Sequence, residues 1–152
     1  MKQILKKFST LIILVVLVVV FSVASPNFLR VNNILNVLRQ VAVIGILTAG
    51  MTYVIVSGGM DLTVGAYLGL SGVVLAQMIS AGVPVVAAFI LTMIITTVIG
   101  VITGTLIVGL NVSAIVITLG MMTVVRGLAY IFSGGLPVYD IPDSIVFLGQ
   151  GY

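Results

Sequence analysis

The residue types that carry out most enzyme chemistry are scarce in this chain. Its 152 residues include three acidic side chains, all of them Asp, and no His or Cys. His-based triads, Cys nucleophiles, disulfides and thiolate metal sites are therefore excluded. The chain also has no G-x-x-x-x-G-K-[ST] segment to bind nucleotide phosphates. We expect no catalytic residue, no metal site and no cofactor, and a protein that is not itself an enzyme.

One of the three acids, Asp61, lies in the glycine-rich stretch SGGMDLTVGA, with apolar sequence on both sides. Its neighbours Gly58 and Gly59 favour a helix end or an unwound turn. Asp61 could cap the following helix by accepting a hydrogen bond from the backbone N–H of Thr63 or Val64. It could instead line a polar site or hold a gate closed, because a carboxylate within a membrane protein is a functional candidate. Both interpretations stay open.

Arg126 is the second unusual charge, because it lies inside the apolar stretch MMTVVRGLAYIFSGG. An Arg near the centre of a spanning helix costs about 2.5–3.5 kcal/mol on insertion scales. It could pair with Asp61, bond to backbone carbonyls or extend its guanidinium to the membrane interface. The candidate pathway or gating residues are Gly58, Gly59, Asp61, Thr63 and Arg126.

The composition indicates an integral membrane protein, since 61% of the residues are hydrophobic and 6% are charged. Soluble domains have about 25% charged residues. Lys2, Lys6 and Lys7 precede a long apolar run, which predicts a cytoplasmic N-terminus. The lysines behind the net charge of +3 are therefore expected to orient the first span in the membrane. We expect the chain to contact membrane lipid and not nucleic acid. Arg30 and Arg39 fall on the opposite side in this topology and conflict with it.

The predicted fold class is all-α, a polytopic transmembrane helical bundle. A span needs about 20 apolar residues, and a glycine break is expected at 58–61. Segment 26–40 is predicted to be a separate amphipathic helix at the membrane surface. The first apolar segment could alternatively be a cleaved signal peptide. The predicted spans, about five in number, are 8–25, 41–57, 62–80, 84–108 and 113–133.

Small residues recur in the predicted helices. The pairs Gly65/Gly69 and Gly100/Gly104 have the spacing that lets helices approach closely in lipid, so tight packing is expected there. LTAGMTYVIVSGG (47–59) also resembles TLGMMTVVRGLAYIFSGG (118–135). The similarity indicates either an inverted repeat of the transporter kind or chance within a restricted alphabet.

The segment MTYVIVSGGMDLTVGAYLGLSGVV resembles the signature region of ribose-type sugar permeases of bacterial ABC importers. Those permeases carry Gly-Gly-Ile-Asp-Leu-Ser-Val-Gly after a Gly-Met-Thr helix, and here Met60 and Thr63 differ. ITLGMMTVVRGLAYIFSGGLPVY (117–139) and NNILNVLRQ (32–40) are also similar to family segments. The resemblance implies a permease subunit of the bacterial inner membrane. It also implies the following partners: cytoplasmic ATPase subunits, a periplasmic sugar-binding protein and a second permease chain, identical or different.

The resemblance further implies that family members are much longer than this chain. We therefore expect residues 1–152 to form a single transmembrane permease domain, truncated at its C-terminus. The alternatives are a non-transporting remnant or assembly subunit and a small secondary carrier or channel. A secondary carrier usually couples through intramembrane acids, and Asp61 is the one candidate here. The sequence does not identify the sugar.

Overall fold

The computed structural model describes residues 8–139 and 141–150, and the described part of the chain is entirely helical apart from turns and connecting segments. Lys2, Lys6, Lys7 and Asp140 lie outside the described residues, so the predicted orientation of the N-terminus stays a prediction. The helices are α1 (Ser9–Ala24), α2 (Val31–Val56), α3 (Val64–Ser80), α4 (Val85–Leu110), α5 (Ala114–Ser133) and α6 (Asp143–Gln150).

Three helices, α2, α4 and α5, are long and apolar enough to cross a membrane, and α1 and α3 are shorter apolar helices. The 16 residues of α1 and the 17 of α3 correspond to about 24–26 Å at 1.5 Å per residue, slightly less than the hydrocarbon core of about 30 Å. Most large apolar side chains are exposed, as expected when lipid is the solvent. The prediction of an all-α, multi-pass membrane bundle is confirmed.

The segment before the second predicted span is not a separate helix. The structure contains one continuous helix, α2, where the sequence predicts a surface helix at 26–40 followed by a span at 41–57. The physical reason is that no Gly or Pro lies between residues 27 and 44, so nothing interrupts the backbone hydrogen bonds. Arg39 also donates from Nη1 to Asn36 Oδ1 at 2.8 Å, a spacing that helices favour.

The chain divides into two compact units, one ending at Ile46 and one beginning at Leu47. In the first unit the rings of Phe21 and Phe28 stack with centroids 5.7 Å apart. Asn33 Nδ2 donates to the carbonyl oxygen of Phe28 at 2.7 Å. These contacts hold the connection between α1 and α2.

The core of the second unit is built around α3, which packs against α5 and α4. Its buried residues Ala66, Leu70 and Val74 recur every four positions and meet Val125 of α5. This spacing places them on one face of the helix. Since lipid tails are as apolar as the core, close packing and hydrogen bonds hold such helices together.

The two Ser-Gly-Gly segments form the same helix cap. Gly59 N–H donates to Val54 O at 2.9 Å and Gly58 N–H to Ile55 O at 3.0 Å, which is the Schellman pattern. At the end of α5, Gly135 N–H donates to Tyr130 O at 2.9 Å and Gly134 N–H to Ile131 O at 3.2 Å. Gly58 and Gly134 have φ angles of 80° and 63°, which glycine adopts without strain. The sequence similarity between 47–59 and 118–135 therefore extends to local geometry.

The expectation of tight helix packing at the paired glycines is wrong within the described chain. A Cβ atom built on Gly65, Gly69, Gly100 or Gly104 would meet nothing within 4 Å. The α3 surface that does pack is the one carrying Ala66, Leu70 and Val74, so spacing alone selects the wrong face. The eight-residue helix α6 lies beyond the last predicted span, which ends at residue 133.

Candidate functional site

The glycine break predicted at 58–61 is confirmed, and it shapes the surroundings of Asp61. Helix α2 ends at Val56, and the chain has no regular structure from Gly59 to Thr63. Gly59 passes so close to the end of α2 that a Cβ there would lie 3.2 Å from Val54 Cγ1 and 3.3 Å from Val54 O. A side chain at this position would require its neighbours to shift by a few tenths of an ångström, so glycine suits the turn.

Asp61 accepts one of the backbone hydrogen bonds that its predicted capping role requires, but it is not itself the N-cap of α3. The backbone N–H of Thr63 donates to Asp61 Oδ1 at 2.7 Å, and the Thr63 hydroxyl donates to the same oxygen. Thr63 is fully buried, and its carbonyl accepts the first helical bond, from Tyr67 N–H at 2.9 Å. Asp61 therefore precedes the N-cap residue Thr63 and stabilises it from two positions upstream.

The same carboxylate also lines a cavity of about 290 Å³, so the two interpretations of Asp61 are compatible. This volume is near the lower end of the range of about 300–1,000 Å³ for small-molecule sites. The bare backbone at Gly100 and Gly104 forms part of its α4 wall. The lining residues come from the end of α2, the break, α3, α4 and the start of α5: Val54, Ser57, Gly59, Met60, Asp61, Thr63, Tyr67, Gly100, Thr103, Gly104, Ile107, Val108, Ala114 and Thr118.

Hydroxyl groups supply most of the polar lining. Tyr67 Oη and Thr103 Oγ1 lie 2.9 Å apart, and Thr103 Oγ1 donates to Ile99 O at 2.9 Å. Since a hydroxyl has one proton, Tyr67 must be the donor of the pair. Thr118 is also buried and donates to Ile115 O at 3.2 Å. The polar part of the wall thus consists of the Asp61 carboxylate and oriented, neutral hydroxyls with lone pairs left for a ligand.

Arg126 is not part of this site. It is exposed on α5 and does not line the cavity that contains Asp61. Within residues 8–139 and 141–150, both hydrogen bonds of the Asp61 carboxylate go to Thr63. The structure therefore brings together Gly59, Asp61 and Thr63 of the candidate residues, with Gly58 shaping the turn beside them.

Sequence reasoning missed the hydroxyls at Tyr67, Thr103 and Thr118. One signal was present for Tyr67, which follows Thr63 by four positions and so lies on the same helix face. No sequence signal pairs Tyr67 with Thr103, 36 positions away. Together these groups can bind a neutral polar molecule through hydrogen bonds.

The chain matches one protein family over most of its length. The family model described as "Branched-chain amino acid transport system / permease component" matches residues 33–147. The ribose import permease protein RbsC of Bacillus subtilis is 42% identical over 151 residues, covering 98% of this chain and 47% of that protein. RbsC of Haemophilus influenzae is 37% identical over 145 residues, covering 93% and 45% respectively.

A further relative is named after a different substrate, autoinducer 2. The autoinducer 2 import system permease protein LsrD of Photorhabdus laumondii is 34% identical over 128 residues, covering 84% of this chain and 38% of that protein. The chain thus spans less than half the length of each of these relatives. No solved structure matches it. With a helical membrane bundle, a hydroxyl-lined cavity and a family match over residues 33–147, the chain belongs to the family of transport-system permease components.

Proposed function

We propose that the chain forms part of the translocation pathway for a monosaccharide or related sugar in an ABC importer of the bacterial inner membrane. Cytoplasmic ATPase subunits would hydrolyse ATP, and a periplasmic binding protein would deliver the sugar. A second permease chain would complete the route, and the N-terminus of this chain would lie in the cytoplasm. The names of the relatives, which refer to ribose and to autoinducer 2, support a sugar-like cargo.

The single observation that carries this proposal is the cavity beside the glycine break. Its polar groups are one carboxylate and several neutral hydroxyls, among them those of Tyr67, Thr103 and Thr118. Sugar hydroxyls both donate and accept hydrogen bonds, so they complement such a lining. The apolar walls, which include Ile107 and Val108, suit the C–H faces of a sugar ring.

In this proposal, Asp61 has two roles that use different oxygens. Both of its hydrogen bonds within the described chain engage Oδ1, which leaves Oδ2 for a sugar hydroxyl. Gly58 and Gly59 would keep the route open by ending α2 without side chains. Arg126, exposed and away from the cavity, would act at an interface with lipid or with a partner subunit.

The test uses the chain expressed from its own chromosomal locus with an N-terminal tag. Purification from native membranes, followed by mass spectrometry, should recover an ATPase and a second permease chain. Uptake of radiolabelled pentoses and hexoses by the same cells should fall at least severalfold in Thr103→Val, with Thr105→Val on the exposed face as the matched control. The proposal is contradicted if no ATPase is recovered with the chain and if sugar uptake persists after the gene is deleted. That result favours an assembly subunit.

A further inference from the structure

A row of hydroxyl side chains continues along the seam between α3 and α4 beyond the Asp61 cavity. On α3, Ser71 follows Tyr67 by four positions, which places both on one face. On α4, Thr92 and Thr96 have the same relationship, and Thr103 lies three turns beyond Thr92. Tyr67 near the start of α3 contacts Thr103 in the second half of α4, and Leu75 farther along α3 lines one groove with Phe89 near the start of α4. The two helices therefore run antiparallel, and their hydroxyls face one seam.

Three adjoining recesses connect these hydroxyls. A recess of about 260 Å³ is lined by Asp61, Tyr67, Ser71 and Thr96, and it shares Asp61 and Tyr67 with the first cavity. A groove of about 340 Å³ follows, which shares Ser71 and Thr96 and adds Thr92. At 1.5 Å per residue, the hydroxyls of α4 extend over about 16 Å. This is about half of the hydrocarbon core.

Thr92 distinguishes the groove from an ordinary gap between helices. Its side chain is 5% exposed, and its Oγ1 makes no hydrogen bond with any described residue. Ser71 and Thr96, by contrast, donate to carbonyls of their own helices, at 2.9 Å to Leu68 O and at 2.9 Å to Thr92 O. A buried hydroxyl without a partner is unfavourable, and hydrocarbon tails offer it nothing.

We propose that Ser71, Thr92 and Thr96 form a second binding station, for a neutral polyhydroxylated solute that arrives from the Asp61 cavity. The inference rests on the proposed function and adds a position and a route to it. The groove lining contains no charged side chain, which selects against ions. Thr92 Oγ1 is shielded from solvent in this structure, so its hydroxyl would rotate into the groove to donate to the solute and accept from it. Phe89 and Met93 would cover the C–H groups of the solute.

The test exploits the lack of cysteine in the chain. Single-cysteine variants Thr92→Cys and Ser71→Cys are expressed in the complete transporter and labelled in native membranes with a small, uncharged methanethiosulfonate reagent. Ser57→Cys reports on the Asp61 cavity, and Thr105→Cys on the exposed face of α4 is the control. The probe is a mixture of D-ribose, D-xylose, D-galactose and D-glucose.

We expect the sugars to slow labelling at residues 92, 71 and 57 by about threefold when their concentration is twice the dissociation constant. Labelling at residue 105 should not respond to sugar. Protection at 57 with none at 92 and 71 overturns the second station and leaves the proposed function standing. No protection at any position overturns both proposals. If neither Thr92→Cys nor Ser71→Cys reacts with the reagent, a helix fills the groove. That result also refutes the second binding station.

Discussion

The bond between Asp61 and Thr63 should be a principal stabilising contact at the start of α3. Asp61→Ala removes the cap on the Thr63 N–H, at a cost of about 0.5–2 kcal/mol. It also leaves the fully buried Thr63 hydroxyl without its acceptor, which adds about 1–3 kcal/mol. Thr63→Val removes the hydroxyl alone and keeps the backbone bond to Asp61. The double variant should therefore be less destabilised than the sum of the single variants.

The assay is a double-mutant cycle measured by thermal unfolding in detergent micelles, with ligand absent. A coupling energy of about 1–3 kcal/mol is expected between neighbours that share a hydrogen bond. With about 2–4 °C per kcal/mol for a chain of this size, Asp61→Ala should lower the unfolding midpoint by about 3–20 °C. Asp61→Asn, which keeps an acceptor oxygen, should recover part of the loss. Additivity within about 0.5 kcal/mol would show that the two side chains act independently and would refute the stabilising role of the hydroxyl bond.

Three further predictions concern glycines and the core. Gly58→Ala should destabilise the second unit by about 1–2 kcal/mol, because φ at Gly58 is 80° and only glycine adopts it freely; an unchanged thermal midpoint would contradict this. Leu70→Ala should cost about 2–5 kcal/mol, because Leu70 is completely buried in the core; the same midpoint measures it. Gly104→Leu should leave that midpoint unchanged, because a Cβ there has open space, but should block sugar uptake by filling the Asp61 cavity. Gly109→Leu, on the same helix outside the cavity, is its control.

The helices and their ends were predictable from sequence where contacts between residues a few positions apart determine them. Spans 62–80, 84–108 and 113–133 correspond to α3, α4 and α5 with boundary differences of one or two residues. The Ser-Gly-Gly segments and the capping role of Asp61 depend on contacts within a few positions, so composition and spacing reveal them. Segment 26–40 was assigned wrongly because its polar residues suggested a separate surface helix, whereas polarity alone does not end a helix.

Contacts between helices were not predictable in the same way. Small-residue spacing at Gly65 and Gly69 indicates a surface that allows close approach but does not say whether a neighbour occupies it. The partners of Ala66 and Leu70 on α5 depend on how three helices rotate about their axes. The rotation of each helix about its axis cannot be read directly from a single sequence. The cavity hydroxyls were missed for this reason, since Thr residues also serve as ordinary members of apolar helices.

The neutrality of the seam has a consequence for how the proposed pathway would work. A neutral hydrogen bond contributes about 0.5–1.5 kcal/mol net, so three of them at one station supply only a few kcal/mol. A dissociation constant of 1 mM already corresponds to about 4.1 kcal/mol, so each station would bind its solute only weakly. Weak stations release a solute readily, and a separate binding protein would then supply the affinity. A charged residue at Thr92 should therefore impair transport even if the helices still pack, because the solute would be held or excluded and would no longer move from one station to the next.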